Sequence, residues 1–360
     1  MIPVYRPSLI GNEKQYVNEC LDTGWISSKG EFVGRFESAF AKNTGLQYVT
    51  SVCNGTVALH LALDALGVGQ GDEVIVPTLT YIASVNAILQ VGAKPIYVDS
   101  LNETWQMDPK QIEQKLSPRT KAVMAVHLYG QACDMPTISK ICEDHKLLLI
   151  EDCAEALGTR FNGRHVGTFA DAATFSFFGN KTITTGEGGM VAFKAERHWE
   201  RAASLKNQGV SKSKEYWHEG LAYNYRMTNI CAAIGLAQLE QVDRFLSSKR
   251  KVANTYQTSL DDLPVIVHAE QVGTTHSYWM CSILTDTPST RAHLRAHLWN
   301  HNIETRPVFP LCSDMEHAFA SGNYPQARKL SDTGLNLPSY PSISQDELLA
   351  VCTTIRGFYE

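Results

Sequence analysis

The chain has 360 residues, with 32 Lys and Arg against 37 Asp and Glu, a net charge of -5 with His neutral. Hydrophobic residues make up 44% and charged residues 19%, the balance of a folded globular protein rather than a disordered or membrane one. No basic run offers a footprint for nucleic acid and no apolar run approaches the ~20 residues that span a bilayer, so neither nucleic acid nor a membrane is expected as a partner.

The length predicts two domains, a large one over residues 1–245 and a smaller one over 246–360. From about residue 48 to 194, short β-branched runs alternate with helical patterns, which predicts an α/β fold: a mostly parallel, mixed seven-stranded sheet covered by helices. Strands are expected at Tyr48 to Val52, Glu73 to Val76, Pro95 to Val98, Ala122 to Val126, Leu147 to Ile150, Ala173 to Phe178 and Gly189 to Phe193. Helices are expected at Val57 to Leu66, Tyr81 to Gln90, Asp108 to Lys115 and Met135 to His145. Near Thr228 a long helical stretch begins that carries the chain toward the second domain. That domain reads as α+β, with strands near Val265 to His268 and Ser277 to Leu284 and helices at Thr290 to Asn300 and Gln345 to Tyr359. Pro338-Ser-Tyr-Pro341 reads as a loop.

Nine scattered cysteines without a CxxC pair read as reduced, structural thiols, and the N-terminal residues carry no secretory pattern, so a cytoplasmic location is expected. Twelve histidines form no HExxH or Cys/His ligand spacing, and no metal is expected.

The chemistry concentrates around Lys181, in Ser176-Phe-Phe-Gly-Asn-Lys181, twenty-nine positions after Asp152, an exposed turn lysine before a glycine-rich hairpin being its other reading. A lysine amine forms a Schiff base with an aldehyde only when deprotonated, which burial favours. An acidic partner suits the ring nitrogen of pyridoxal phosphate (PLP), whose pyridinium acts as the electron sink in amino transfer, and Asp152 is the candidate. In Ser51-Val-Cys-Asn-Gly-Thr-Val57 a strand runs through Gly55 and Thr56 straight into a helix, whose free first-turn amides suit a phosphate. The same strand-glycine-helix pattern is common in α/β proteins that bind nothing there. Ser176 is a further phosphate donor or merely the end of its strand, Tyr81 a stacking partner for a flat ring or a core aromatic, and Glu155 a contact to the ring-side network or a satisfied loop residue.

Gly24-Trp-Ile-Ser-Ser28, Asn54-Gly-Thr-Val-Ala-Leu-His60, Gly71-Asp-Glu-Val-Ile-Val-Pro77, Val126-His-Leu-Tyr-Gly130, Glu151-Asp-Cys-Ala-Glu-Ala-Leu-Gly158, Lys206-Asn-Gln-Gly209 and Tyr223-Asn-Tyr-Arg-Met227 resemble the nucleotide-sugar aminotransferases. Those are PLP enzymes of the aspartate aminotransferase fold, and the likeness runs nearly end to end. It implies that Lys181 bonds the cofactor aldehyde, Asp152 faces the pyridinium, Tyr81 stacks on the ring, and Gly55, Thr56 and Ser176 hold the phosphate. It further implies that Asn224 reaches the phosphate of a neighbouring subunit, so that a homodimer or dimer of dimers shares its sites. Trp25, His276, Tyr278 and Arg306 match positions near the sugar nucleotide, with L-glutamate and 2-oxoglutarate as amine donor and its product. For Arg306 a surface ion pair is the other reading. The loop Phe309-Pro-Leu-Cys-Ser313 lacks the histidine of many relatives. Readings outside amino-sugar transfer are dehydration of the same sugar, a PLP-binding regulator without turnover, and a cysteine desulfurase using Cys312.

Overall fold

Seven runs of Val, Ile, Ala and Met form the central sheet of the computed structural model, which describes all 360 residues. The strands are β1 (Tyr48–Val52), β2 (Glu73–Pro77), β3 (Lys94–Val98), β4 (Thr120–Val126), β5 (Leu148–Asp152), β6 (Ala172–Ser176) and β7 (Gly189–Phe193). Their spatial order is β1-β7-β6-β5-β4-β2-β3. β3, β2, β4, β5 and β6 run parallel, while β7 is antiparallel to both its neighbours. Both faces are covered, as a parallel sheet requires. Val74, Val76, Met124, Val126 and Ile150 join one core cluster, and the alternate residues Ile75, Val123, Ala125 and Leu149 join another.

That alternation positions the chemistry. Val126 and Asp152 end adjacent parallel strands in register and point to one face, leaving their neighbours His127 and Glu151 to the other.

Helix α1 (Glu13–Thr23) and helix α2 (Glu31–Thr44), absent from the expected elements, precede the sheet and pack against the helix Asn229–Leu239. α2 buries Phe32, Phe36 and Phe40 on one stripe and stops at Gly45, whose φ of 77° is open to glycine at little cost. The long helical stretch expected from Thr228 is two helices, Asn229–Leu239 and Val242–Ser259. The second runs from one core to another: Val242 and Phe245 belong to the cluster around α2, and Val252, Ala253 and Tyr256 to the C-terminal cluster. The expected 245/246 boundary therefore falls inside a helix.

The C-terminal region holds a four-stranded antiparallel sheet of Ile266–Val267, Cys281–Leu284, Gly334–Leu337 and Arg306–Pro307, in that order, beside the helices Pro288–Asn300 and Gln345–Tyr359. The N-terminal residues lie along it: Ile2 exchanges backbone hydrogen bonds with Asn302 and Glu304, and Ser339 donates to Val4. No helix is long and apolar enough to cross a membrane.

Candidate active site

A cavity of about 500 Å³ opens where β4, β5 and β6 end at their carboxyl edge, the place where open parallel sheets offer crevices for ligands. Gly55, Thr56, Tyr81, Asp152, Glu155, Ser176 and Lys181 all line it.

Lys181 sits in the loop between β6 and β7. Backbone hydrogen bonds from Phe177 to Gly188 and from Thr185 to Phe177 close the loop at its base, and Lys181 itself donates to Phe178 at 2.9 Å. Its Nζ lies 3.9 Å from the centroid of the Trp279 ring and 3.8 Å from Glu155 Oε1, with the side chain 13% exposed. Desolvation lowers the amine below the usual lysine range, and Glu155 and Asp152 oppose the shift. Glu155 shows the mirror effect: burial pushes its carboxyl up to about 7, against the pull of Lys181 and a 2.8 Å hydrogen bond from the Tyr129 amide.

Asp152, the last residue of β5, is buried and aimed into the cavity. Its Oδ2 accepts from Ser84 Oγ at 2.7 Å and its Oδ1 from the Ala154 amide at 3.0 Å. Ser84 stands in the first turn of the helix Ala83–Gln90; it lies only three residues beyond Tyr81, yet no motif marks it.

Helix α3 (Gly55–Ala65) presents its first turn to the same cavity. Asn54 caps it, taking the Val57 amide on its side chain at 2.9 Å and leaving the amides of Gly55 and Thr56 to face outward. A Cβ on Gly55 would come within 2.7 Å of Ser176 Cβ and 2.9 Å of its Oγ. Glycine at 55 is what keeps a helix N-terminus and a serine hydroxyl open toward one point. Two amides and two hydroxyls on a positive helix end form a donor set suited to a phosphate monoester. With an amine and a carboxylate across the same cavity, these residues fit PLP.

Tyr81 is 57% exposed and forms the outer wall with Phe309, ring centroids 5.6 Å apart. Phe309 stacks in turn on Tyr129, and Tyr129 on Trp279, so the aromatic wall runs back to Lys181. The loop Phe309–Ser313 is tied to the segment before Tyr81: Cys312 N–H donates to the Thr78 carbonyl at 2.8 Å, and Thr78 Oγ1 bonds Ser313 Oγ at 2.8 Å. Cys312 is buried, its thiol pushed up to about 12, and its Sγ donates to the Thr80 carbonyl. Such a thiol is a poor nucleophile, and the desulfurase reading loses its candidate.

The remaining expected residues do not line this cavity. Trp25 is 56% exposed, and its carbonyl accepts from Asn229. Asn224 is exposed, and its Oδ1 holds the Arg226 guanidinium at 2.9 Å. Arg306 forms an exposed ion pair with Glu304 at 2.6 Å, the other of its two readings. His276 and Tyr278 are buried and stack on each other with centroids 3.9 Å apart, and burial holds the imidazole of His276 well below its ordinary value. The expected strand Ser277 to Leu284 begins only at Cys281, because Tyr278 adopts φ of 49°. That turn sends the next residue, Trp279, into the cavity instead. Neither Trp279 nor Phe309 carries a motif that marks it.

His127, Glu151 and Cys153 bring potential ligand atoms within 4.8 Å of one another behind the site. Hydrogen bonds already engage them. Glu151 accepts from the Gly167 and Phe169 amides at 2.7 and 2.9 Å and from His127 Nε2 at 3.1 Å, while His127 Nδ1 accepts from the Cys133 amide. The trio is a satisfied network that ties β4 to β5.

Fold and cavity together define a PLP-dependent aminotransferase. The chain belongs to the DegT/DnrJ/EryC1/StrS aminotransferase family, whose model matches residues 7–356. It is 56% identical over 359 residues to GDP-perosamine synthase of Escherichia coli O157:H7, covering 99% of this chain and 98% of that one. It is 50% identical over 364 residues to GDP-perosamine synthase of Vibrio cholerae, covering 100% and 99%. Among solved structures, the PLP form of Spr1654 from Streptococcus pneumoniae superposes with a TM-score of 0.95 at 27% identity, covering 99% of this chain and 98% of that chain.

Proposed function

We propose that this chain binds PLP and transfers an amino group from L-glutamate to C4 of a nucleotide-linked 4-keto-6-deoxy sugar, GDP-4-keto-6-deoxy-D-mannose above others, giving GDP-perosamine for O-antigen or another surface polysaccharide. The observation that carries this reading is one cavity with Lys181, Asp152 and the Gly55–Ser176 cradle on its walls, in a chain with end-to-end identity to two GDP-perosamine synthases.

When bound, PLP supplies an aldehyde for amine exchange and a pyridinium ring that accepts electrons. Gly55, Thr56 and Ser176 would hold its phosphate. Asp152, kept in place by Ser84 and the Ala154 amide, would keep the ring nitrogen protonated. Tyr81 would pack against the ring. Lys181 is the base in this reading: its Nζ would take a proton from the α-carbon of glutamate in one half of the reaction and deliver one to C4 of the sugar in the other. Desolvation favours the neutral form of that amine, and Glu155 beside it accepts or returns the proton that the amine must lose. Asn180 lines the cavity, and its Oδ1, which has no hydrogen-bond partner, is the acceptor this reading gives to the sugar once the side chain turns toward it.

Asn224 acts on a neighbouring subunit in this reading. Its segment also presents Tyr216 and Leu221, 98% and 90% exposed, which is apolar surface suited to burial in a homodimer or dimer of dimers. Soluble substrates and nine free cysteines suit the cytoplasm.

Protein reconstituted with PLP and glutamate and offered GDP-, UDP- and dTDP-linked 4-keto-6-deoxy sugars tests the reading, with products followed by mass spectrometry. Amino-sugar formation preferring the GDP-linked sugar is expected. Preference for a UDP or dTDP sugar overturns the choice of substrate, and a deoxysugar product overturns amino transfer.

A further inference from the structure

Lys249 is fully buried on the helix Val242–Ser259, and carbonyls and a ring surround its ammonium in place of a carboxylate. Its Nζ donates to the Ser339 carbonyl at 2.7 Å and the Trp279 carbonyl at 3.1 Å, and lies 5.0 Å from the centroid of the Tyr5 ring. Both Trp279 and Tyr5 hold the loop that carries Lys181. Tyr5 Oη donates to the Lys181 carbonyl at 2.5 Å. Trp279 Nε1 donates to the Asn180 carbonyl at 2.7 Å, and its ring faces Lys181 Nζ at 3.9 Å. Two consecutive carbonyls of the loop are thus pinned by two side chains that share one buried lysine as their support.

Stability alone gives no account of that lysine. Burying an ammonium without a counter-charge is costly, and burial holds the Lys249 amine down at about 8. A methionine would fill similar volume without the cost. What only the lysine does is bond the Trp279 carbonyl while facing the Tyr5 ring, so that the core of the C-terminal region is fastened to the Lys181 loop.

We propose that Lys249 is a positioning residue for Lys181, acting through Tyr5 and Trp279 to hold the Lys181 backbone and amine where the amine moves protons. The inference rests on the reading of Lys181 as the cofactor-bonding base. A displaced lysine must return to the same place in every half-reaction, and small misplacement of a reacting group is expensive in rate.

PLP-loaded Lys249→Met, Tyr5→Phe and the double variant are compared with wild type in three measurements: kcat and KM for both substrates, the pH midpoint of the visible absorbance of lysine-bound cofactor, and the thermal midpoint. Each single variant is expected to lower kcat about tenfold with KM unchanged, and the double variant to fall no further than the worse single, as for coupled residues. The absorbance midpoint is expected to move by about half a pH unit or more as the surroundings of Lys181 change. Lys249→Met with wild-type kcat and an unmoved midpoint overturns the proposal, as does a multiplicative double variant, even where the thermal midpoint falls. Should Lys249→Met fail to fold, Tyr5→Phe and Trp279→Phe carry the test, and wild-type kcat and absorbance midpoint in both overturn it. A Lys181→Ala control separates the two readings. If that control keeps the lysine-bound absorbance, the assignment of Lys181 fails; if it loses the absorbance while Lys249→Met behaves as wild type, only the role of Lys249 fails.

Discussion

Glu155 Oε1 lies 3.8 Å from Lys181 Nζ, the acid buried and the lysine half-buried. Burial acts on them in opposite directions, raising the acid to about 7 and lowering the amine. The charged and neutral forms of the pair are thereby brought closer in free energy than for the same groups in water, which suits a base that takes and gives a proton in every turnover.

Glu155→Gln should change the pH dependence of stability in a defined sense. Between its ordinary value of 4.5 and about 7 the carboxyl is protonated when folded and ionised when unfolded. The unfolded state then holds fewer protons, so wild type loses stability as pH rises through this window, by ~3 kcal/mol at most. The variant lacks that loss. Urea unfolding at several pH values across this window should show the variant gaining on wild type up to about 7 and no further; a constant difference would refute the shift.

Gly55→Ala places a methyl 2.7 Å from Ser176 Cβ. Crowding of this kind costs ~1–3 kcal/mol and here falls on the phosphate cradle, so PLP affinity should drop about tenfold or more. Ser176→Gly in the same chain removes the clash and should recover part of the affinity, measured by titrating the apoprotein with PLP. No recovery would mean that the lost Ser176 hydroxyl outweighs the relieved crowding.

Ser84→Ala removes the 2.7 Å hydrogen bond to Asp152 but leaves the carboxylate. A bond to a charged group is worth ~1.5–3 kcal/mol, and kcat should fall about tenfold. Asp152→Asn removes the charge itself and should cost about a hundredfold or more, in the range for groups that stabilise charge at a reacting centre. Equal kcat losses in the two variants would contradict the division of roles.

Glu151→Ala leaves His127 and the Gly167 and Phe169 amides without their shared acceptor in a fully buried site. Breaking a buried pair in this way costs ~3–5 kcal/mol. Urea unfolding should show that loss; a change below about 1 kcal/mol would mean that water replaces the carboxylate.

Where one physical signal dominates, the sequence is legible. β1 and β7 and the helices Met135–His145 and Gln345–Tyr359 lie at their expected bounds, because apolar period, caps and breakers agree there. Helices α1 and α2 are not among the expected elements, although Gly24 and Gly45 stop them and Phe32, Phe36 and Phe40 form a stripe at four-residue spacing along α2. Lys181, Asp152, Glu155, Tyr81 and the Gly55–Ser176 pair meet in one cavity because they follow strand ends at one edge of the sheet, which a chain-order reading captures. Trp279, Phe309 and Lys249 are not legible, for their places depend on the positive φ of Tyr278 and on packing between segments remote in sequence.

The most direct test of the central claim is amino-sugar formation by PLP-loaded Lys181→Ala, supplied with glutamate and GDP-4-keto-6-deoxy-D-mannose and read by mass spectrometry. Turnover should be abolished in a protein that still folds and binds cofactor at the Gly55–Ser176 end. Amino-sugar formation at the wild-type rate would contradict the assignment of Lys181 and the account built on it.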